Sequence, residues 1–348
     1  MPTLARALLL TVTTLIGAPI LARQSAPPRP LIPVEPVAAI LEAFQSHPIV
    51  ALGEGPHGNE QGHAFRLALI RDPRFAATVN DIVVEFGSGR YQTLMDRFIN
   101  GAVVNEDQLR HAWQDTTVTT AAWDRPIYED FFRAVRALNS ELPAGRRLRV
   151  LLGDAPIDWS RVHTRADVHR WGLQKAGHMA NVILNEVLAK RRRALLICGD
   201  GHLQGRGVPE DKTLRLLDGP PPQKRVFIIT SALWTMKPFT ELQPDSASWP
   251  VPSLALIRGT SLGSKFLASF FQIPPAPGWN TLRMEDEFDA MLHLGARESA
   301  TFSRLSPRLC SDPAYVKMRL ERLALSVPQA IEGFTQAFRR ECGLPGAL

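Results

Sequence analysis

Short, unbroken runs of apolar residues recur along the sequence, and helical patterns fill the intervals between them. Runs of this kind are typical of strands that are covered on both faces. The sequence predicts seven strands: Ile49–Gly53, Asp81–Phe86, Leu148–Gly153, Ala194–Gly199, Arg225–Thr230, Ser253–Arg258 and Asp289–Leu294. Because strands alternate with helices, we expect an α/β fold in which helices flank a mainly parallel, possibly mixed, central sheet.

Helical patterns lie between the first strands and near the C-terminus. The predicted helices are Ala64–Arg71, Tyr91–Ile99, Pro126–Leu142, Arg165–Arg192 and a helical region from about Ala314 to Arg340. The chain has 348 residues, 45% of them hydrophobic, which is enough to bury a sizeable core. The proline-rich pieces GPPPQ and PPAPG are typical of loops rather than domain boundaries. We therefore expect one α/β domain over residues 37–345.

The first 22 residues, MPTLARALLLTVTTLIGAPILA, combine a basic start at Arg6 with an apolar centre and small residues at the end. This pattern is typical of a cleaved secretory signal peptide and is too short for a membrane-spanning helix. We predict a signal peptide at 1–22, a proline-rich linker at 23–36, and a secreted or periplasmic protein without a stable membrane anchor after cleavage.

The three cysteines have different surroundings in the sequence. Cys198 lies in an apolar run and is predicted to be a buried thiol. Cys310 and Cys342 could form a disulfide in an oxidising compartment or remain free thiols.

The formal net charge of +6 does not indicate a nucleic-acid-binding protein. The one dense basic run, Lys190–Arg193, follows a helical pattern, and cations are favourable at a helix C-terminus. No aromatic platform accompanies the run. We expect a small-molecule or peptide substrate and no nucleic-acid partner, and the oligomeric state is not indicated.

Acidic residues follow the ends of four predicted strands, in GEGPHG, EFGSG, GDAPIDW and GDGHLQG, and two of these loops also carry a histidine. In open α/β sheets, ligands bind at the carboxyl ends of the strands, where such loops converge. The polar residues in these loops are Glu54, His57, Glu85, Asp154, Asp200 and His202. Together they predict a reaction site at this edge of the sheet.

His57 is the predicted general base of this site. An imidazole can take a proton from water near neutral pH when a carboxylate fixes its tautomer, a part that either Glu54 or Glu85 could play. His202 and the backbone N–H groups of the glycine loops could hold a developing oxyanion, or His202 could act as a second acid. Glycines in these loops allow close approach of a substrate.

Four further residues are predicted to bind substrate or support the site: Arg66, Arg90, Asp154 and Asp200. A covalent nucleophile is not expected, because FGSGR around Ser88 lacks the spacing of a GxSxG elbow. Direct attack by water is therefore favoured.

Metal binding is the alternative use of the same groups. If a divalent metal or haem iron is present, the predicted ligands are Glu54, His57, Glu85 and His202, a set that suits zinc, iron or manganese. The sequence contains no HExxH pair, so no cofactor is assigned.

The segment LGEGPHG, followed by VVEFGSGRYQTLMDRFINGAV, resembles the erythromycin-esterase-like family, which opens with a GE-x-x-HG motif. The resemblance continues in IYEDFFRAVRALN, RVLLGD and HMANVILNEVLAKRRRALLICGDGHL, from about Ile49 to Gly205, and again in FDAMLHLG. It implies the family's α/β fold, His57 as the water-activating base, Glu54 and Glu85 as its assistants, and His202 in the second motif.

That family belongs to a wider group that includes Tiki-type metallopeptidases and ChaN-type haem- or iron-binding proteins. The expected function is an exported hydrolase that acts on an ester or amide bond. The alternatives are a ChaN-like metal- or haem-iron-binding protein and a Tiki-type metal-dependent peptidase. A fourth is a member that keeps the fold without the chemistry, since Gly199 stands where the family's second motif usually begins with a histidine.

Overall fold

A computed structural model describes residues 28–204, 213–218, 224–271 and 279–346. The predicted signal peptide and residues 23–27 of the predicted linker lie outside these ranges. Eight strands form one sheet: β1 Pro33–Val34, β2 Ile49–Gly53, β3 Asp81–Ser88, β4 Arg149–Asp154, β5 Ala194–Cys198, β6 Val226–Ser231, β7 Ser253–Leu256 and β8 Ala290–His293.

The sheet has the order β1-β7-β8-β6-β2-β5-β3-β4. Every pairing from β8 to β4 is parallel, whereas β7 is antiparallel to both β8 and β1 at one edge. The predicted α/β fold with a mainly parallel, mixed sheet flanked by helices is confirmed. All seven predicted strands are present, within a few residues at each end.

One strand was not predicted. Pro33–Val34, inside the stretch expected to be a linker, pairs with Leu254 and Ala255 of β7. Arg29 also donates a backbone hydrogen bond to Gly259. The described part of the predicted linker is therefore attached to the sheet edge, so its assignment as a linker needs correction there.

The α-helices are α1 Pro36–Ala43, α2 Glu60–Arg71, α3 Phe75–Thr78, α4 Gln92–Ile99, α5 Glu106–Gln114, α6 Pro126–Glu141, α7 Arg165–Val182, α8 Thr213–Leu217, α9 Phe239–Leu242, α10 Met284–Glu287, α11 Pro307–Cys310, α12 Pro313–Leu323 and α13 Pro328–Glu341. No helix in the described part of the chain is long and apolar enough to cross a lipid bilayer.

Three predicted helical segments differ from the structure by more than one residue. Helix α2 begins four residues earlier than predicted, because the Asn59 side chain caps it by accepting from the Gly62 N–H. Helix α7 ends at Val182 and continues as a π-helical stretch, Ile183–Leu188. The C-terminal region is two helices, because Pro328 starts a new helix and cannot continue the one before it.

The sheet is covered on both faces, which explains the unbroken apolar runs. Successive residues of β2 point to opposite faces, so Val50 and Leu52 pack into one core cluster with α2, α4, α5 and α6. Ile49 and Ala51 pack into the second cluster, beneath α7.

The C-terminal helices form a smaller hydrophobic core of their own. A disulfide joins Cys310 at the end of α11 to Cys342 at the end of α13. Of the two alternatives, a disulfide or two free thiols, the structure has the disulfide. Cys198 is the buried thiol that the sequence predicts.

Candidate active site

The strand order brings the predicted site loops together. Strand β5 lies between β2 and β3, and β4 pairs with β3, so the carboxyl ends of four neighbouring parallel strands meet at one edge. The four acidic residues of the predicted site lie at these ends, as do both histidines. We refer to Glu54, His57, Glu85, Lys175 and His202 as the site cluster.

His57 is oriented by Glu54. The Nδ1 atom of His57 lies 2.9 Å from Oε2 of Glu54, whose other oxygen lies 3.2 Å from Nη1 of Arg66. The Glu54 side chain is 1% exposed, whereas the His57 side chain is 38% exposed. Trp123 packs edge-on against the imidazole, with the ring centroids 4.4 Å apart. Since Nδ1 is held by the carboxylate, Nε2 is the ring nitrogen that can react.

His202 forms a second imidazole–carboxylate pair, with Glu85. Its Nε2 lies 3.1 Å from Oε1 of Glu85, and the backbone N–H of Gly199 donates to Oε2 at 2.6 Å. Glu85 is buried, while the His202 side chain is 31% exposed. Glu85 therefore partners His202, and Glu54 is the carboxylate that contacts His57.

The two pairs meet at Gly199. A Cβ atom on that residue would lie 2.9 Å from Cε1 and 3.3 Å from Nε2 of His57, and 3.3 Å from Oε2 of Glu85. Any side chain at this position would displace the imidazole of His57 or the carboxylate of Glu85. The glycine thus makes room for both groups.

Lys175 is a site residue that sequence analysis did not identify. Its Nζ lies 2.6 Å from Oε1 of Glu85 and 3.3 Å from Oδ2 of Asp154. Asp154 also accepts hydrogen bonds from the backbone and the hydroxyl of Thr117. Its place on the helix is the one feature that could have identified it. Lys175 lies on the same face of α7 as Met179 and Ala180, the other buried residues of that helix, so it occupies a core-facing position.

Asp200 holds two loops in place. It accepts hydrogen bonds from the Gly55 N–H at 2.7 Å, the Thr230 hydroxyl at 2.6 Å and the Ser231 N–H at 2.9 Å. Burial raises the pKa of Asp200 to about 6, against the effect of these hydrogen bonds. Its role is to support the glycine loop that carries His57.

The predicted use of the glycine loops as oxyanion donors needs correction at three positions. The N–H of Gly55 donates to Asp200, that of Gly58 to the hydroxyl of Tyr128, and that of Gly199 to Glu85. These donors already satisfy buried oxygens of the protein, so they do not point toward a substrate.

Neighbouring charges determine whether the pKa values of His57 and Glu85 lie above or below their ordinary values. Burial lowers the pKa of His57, but the hydrogen bond to Glu54 and the charges of Glu54 and Glu85 outweigh it, so the pKa lies above its ordinary value of 6.5. Burial would raise the pKa of Glu85, yet Lys175 and His202 hold it well below its usual range. Glu85 is therefore ionised at neutral pH.

The two predicted arginines occupy different places. Arg66 is buried in α2 against Glu54 and supports that carboxylate rather than facing solvent. Arg90 is partly exposed and pairs with Asp158 at 3.2 Å on the loop after β4, so it lies at the rim.

The donor set does not fit the predicted metal site. Within the ranges that the structure describes, no group of three or more His, Cys, Asp or Glu side chains is arranged to hold a metal ion. Two of the predicted ligands instead contact cations of the protein, Glu54 with Arg66 and Glu85 with Lys175.

Comparison with known proteins gives only a distant similarity of fold. No family model matches the chain, and no curated protein matches it. A structure of the type III effector HopBA1 is similar over 79% of this chain and 99% of that one, at 12% identity and a TM-score of 0.40.

Two further solved structures are similar. A structure of ChaN of Campylobacter jejuni, described as binding haem cofacially, is similar over 57% of this chain and 86% of that one, at 13% identity and a TM-score of 0.37. A protein from Bacillus cereus is similar over 78% of this chain and 100% of that one, at 10% identity and a TM-score of 0.45. At these values the similarity concerns fold alone, so function has to be argued from the site.

Proposed function

We propose that this protein is a hydrolase that cleaves an ester or amide bond with water activated by His57. The observation that carries the proposal is the 2.9 Å contact between Nδ1 of His57 and Oε2 of the buried Glu54. A carboxylate in this position fixes the tautomer that leaves Nε2 free and stabilises the imidazolium that forms during the reaction.

In the proposed reaction, Nε2 of His57 takes a proton from water as the oxygen attacks the carbonyl carbon of the substrate. The tetrahedral intermediate carries a negative charge on the former carbonyl oxygen. His202, whose Nε2 contacts Glu85 at 3.1 Å, is the proposed hydrogen-bond donor to this oxyanion. Collapse of the intermediate breaks the bond to the leaving group, which receives the proton from His57.

The metal-dependent alternatives have less support in this site. A metalloprotease or a metal-binding protein needs carboxylates and imidazoles that converge on one point. Here the Glu54 and Glu85 carboxylates contact Arg66 and Lys175 instead. No contact among the described residues favours haem over a substrate, so the hydrolase is our single candidate function.

Export remains part of the proposal. The segment that carries the predicted signal peptide lies outside the described residues, and the disulfide between Cys310 and Cys342 supports an oxidising compartment. Mass spectrometry of the protein recovered from the native cells would test this. We expect a mature N-terminus near residue 23, and an intact Met1 would contradict export.

The test of the reaction is hydrolysis of a panel of esters, lactones and amides by the wild type, His57→Gln and His111→Gln. A general base contributes about 10²–10⁴-fold, so His57→Gln should lose activity by that factor. His111 is a matched control, since it also contacts a carboxylate, Asp115, at 3.0 Å and has a raised pKa, but lies outside the site cluster.

The pH profile gives a second readout. Because the base acts in its neutral form, hydrolysis should increase with pH through a midpoint above 6.5. Activity in His57→Gln equal to that of the wild type would refute the proposed function.

A further inference from the structure

Arg125 lies between the loop that carries His57 and the C-terminal helices. Its guanidinium donates to the carbonyl of Ser303 at 2.9 Å and pairs with Glu341 through two nitrogens, with Nη2 at 3.1 Å from Oε2. Both members of the pair are about a fifth exposed. A bidentate pair between a guanidinium and a carboxylate fixes the direction of both side chains as well as their distance.

The side chain of Arg125 covers Gly58, the residue directly after His57. A Cβ atom on Gly58 would lie 2.8 Å from Cδ and 3.0 Å from Nε of Arg125. Gly58 has a φ of +83°, in the left-handed region that favours glycine, and its carbonyl accepts from the Ser303 N–H at 2.9 Å. Arg125 therefore packs directly on the backbone that follows His57, with no space for a side chain between them.

The other partner of Arg125 is held in place. Glu341 is the last residue of α13, and it also accepts from the Leu305 N–H at 2.8 Å. The next residue, Cys342, is bonded to Cys310 of α11. Helix ends open easily, so this covalent link fixes the end of α13 that bears Glu341.

A second contact runs from the same segment to the imidazole. Trp123, two residues before Arg125, packs on His57 with the ring centroids 4.4 Å apart. Asp124, between them, contacts Arg319 of α12 at 2.6 Å. These three consecutive residues therefore connect α12 and α13 with His57 and its loop.

We propose that Arg125 is a positioning residue of the site: it ties Gly58 to the end of α13 and so holds the loop in the position in which His57 contacts Glu54. Arg125 thus acts through the backbone of the loop rather than on the substrate. The inference rests on the proposed function in treating His57 as the reactive group, and its test does not depend on hydrolysis.

The experiment follows the Cε1–H resonance of His57 against pH by NMR in the full-length protein. The variant Arg125→Met with Glu341→Gln removes the ion pair and leaves the net charge unchanged. The matched control is Arg192→Met with Asp81→Asn. Arg192 also forms a bidentate pair, with contacts of 2.6 and 2.7 Å to Asp81, but at the amino end of β3, away from the site.

The charged groups around the imidazole are unaltered in both variants: Glu54, Arg66, Glu85, Lys175, Asp200 and His202. A change in the midpoint therefore reports a change in the position of His57 relative to these groups. We expect the midpoint to fall toward 6.5 in the first variant, because the contact with Glu54 weakens. The fall should be about 0.4 pH unit or more, the size of a coupling between neighbouring groups. The control should keep the wild-type midpoint.

Arg125→Lys provides a second measurement, should the double variant fail to fold. Lysine keeps the positive charge but cannot reproduce the planar contact with Glu341 and Ser303 together, so a smaller fall of the His57 midpoint is expected.

Two results would overturn the inference. One is a His57 midpoint that is unchanged or higher in the folded double variant, or in Arg125→Lys where the double variant does not fold, because Arg125 would then stabilise the fold alone. The other is an equal fall in the control. The proposed function fails instead if His57→Gln keeps its hydrolytic activity, which this titration does not measure, so the two can fail separately.

Discussion

In the part of the chain that the structure describes, two buried groups of charges differ in the side chains that pair with their carboxylates. The site cluster at the carboxyl edge ends in the imidazoles of His57 and His202, each about a third exposed. We call the second group the C-terminal cluster. It lies where α12 packs on the residues between α5 and α6. It consists of Asp115, Asp124, Tyr315, Arg319 and Arg322.

The cations of the C-terminal cluster are both arginines. Arg319 contacts Asp124 at 2.6 Å, and the hydroxyl of Tyr315 donates to the same carboxylate. Arg322 contacts Asp115 at 2.6 Å and donates to the carbonyl of Gln114. Since arginine cannot give up its proton, these contacts can hold helices together but cannot exchange protons during a reaction.

The comparison shows that buried charge alone does not identify an active site. Perturbed carboxylates occur in both clusters, because ion pairs that stabilise a fold shift pKa values as catalytic groups do. What distinguishes the site cluster is that two imidazole–carboxylate pairs meet beside Gly199, whereas the imidazole of His111 on Asp115 stands alone among the described residues. The following substitutions test that difference.

The largest effect on stability is expected in the C-terminal cluster. Arg319→Met leaves the buried Asp124 without its cation, which should lower the free energy of unfolding by about 3–5 kcal/mol. His57→Gln removes a partly exposed group and should change it by about 1 kcal/mol. Urea denaturation followed by circular dichroism measures both values. Equal losses in the two variants would erase the distinction between the clusters.

An intermediate effect is expected from the disulfide that closes the C-terminal helices. Replacing Cys310 and Cys342 with serine removes a link across 32 residues of sequence, which should lower the free energy of unfolding by about 2–4 kcal/mol. The oxidised and reduced wild type, compared in the same denaturation experiment, provide the control. A loss well below 1 kcal/mol would mean that the C-terminal cluster holds these helices without the covalent link.

The smallest effect is expected at the rim of the active site. Arg90 pairs with Asp158, and both side chains are partly exposed. Exposed ion pairs contribute about 0–1 kcal/mol, so Arg90→Ala should leave the unfolding midpoint nearly unchanged. A large loss of hydrolytic activity in this variant would instead support the sequence-based prediction that Arg90 binds substrate or supports the site.

Most of the sheet could be predicted from the sequence, because strands covered on both faces appear as apolar runs. Strand β1 could not be predicted, since Pro33 and Val34 pair with residues more than 200 positions away and carry no periodic pattern. The order of the strands is also a long-range property. It decides that Glu85 contacts His202 directly, whereas Glu54 contacts His57.

The polar groups at the strand ends were visible in the sequence, whereas the groups behind them were not. Lys175 is a single lysine in a long helix, where most lysines are solvated. Trp123 lies in a segment for which no element was predicted, yet it packs on His57. These contacts depend on how helices and loops dock on the sheet, which local patterns do not specify.

The central claim is that Glu54 prepares His57 as a base, and a histidine titration tests it most directly. The midpoint of each histidine Cε1–H resonance would be followed by NMR against pH in the wild type and in Glu54→Gln. We expect the His57 midpoint to lie above 6.5 in the wild type and to fall in Glu54→Gln, because the carboxylate charge that stabilises the imidazolium is lost. The His111 midpoint should stay where it is. A His57 midpoint that is the same in both proteins would contradict the account.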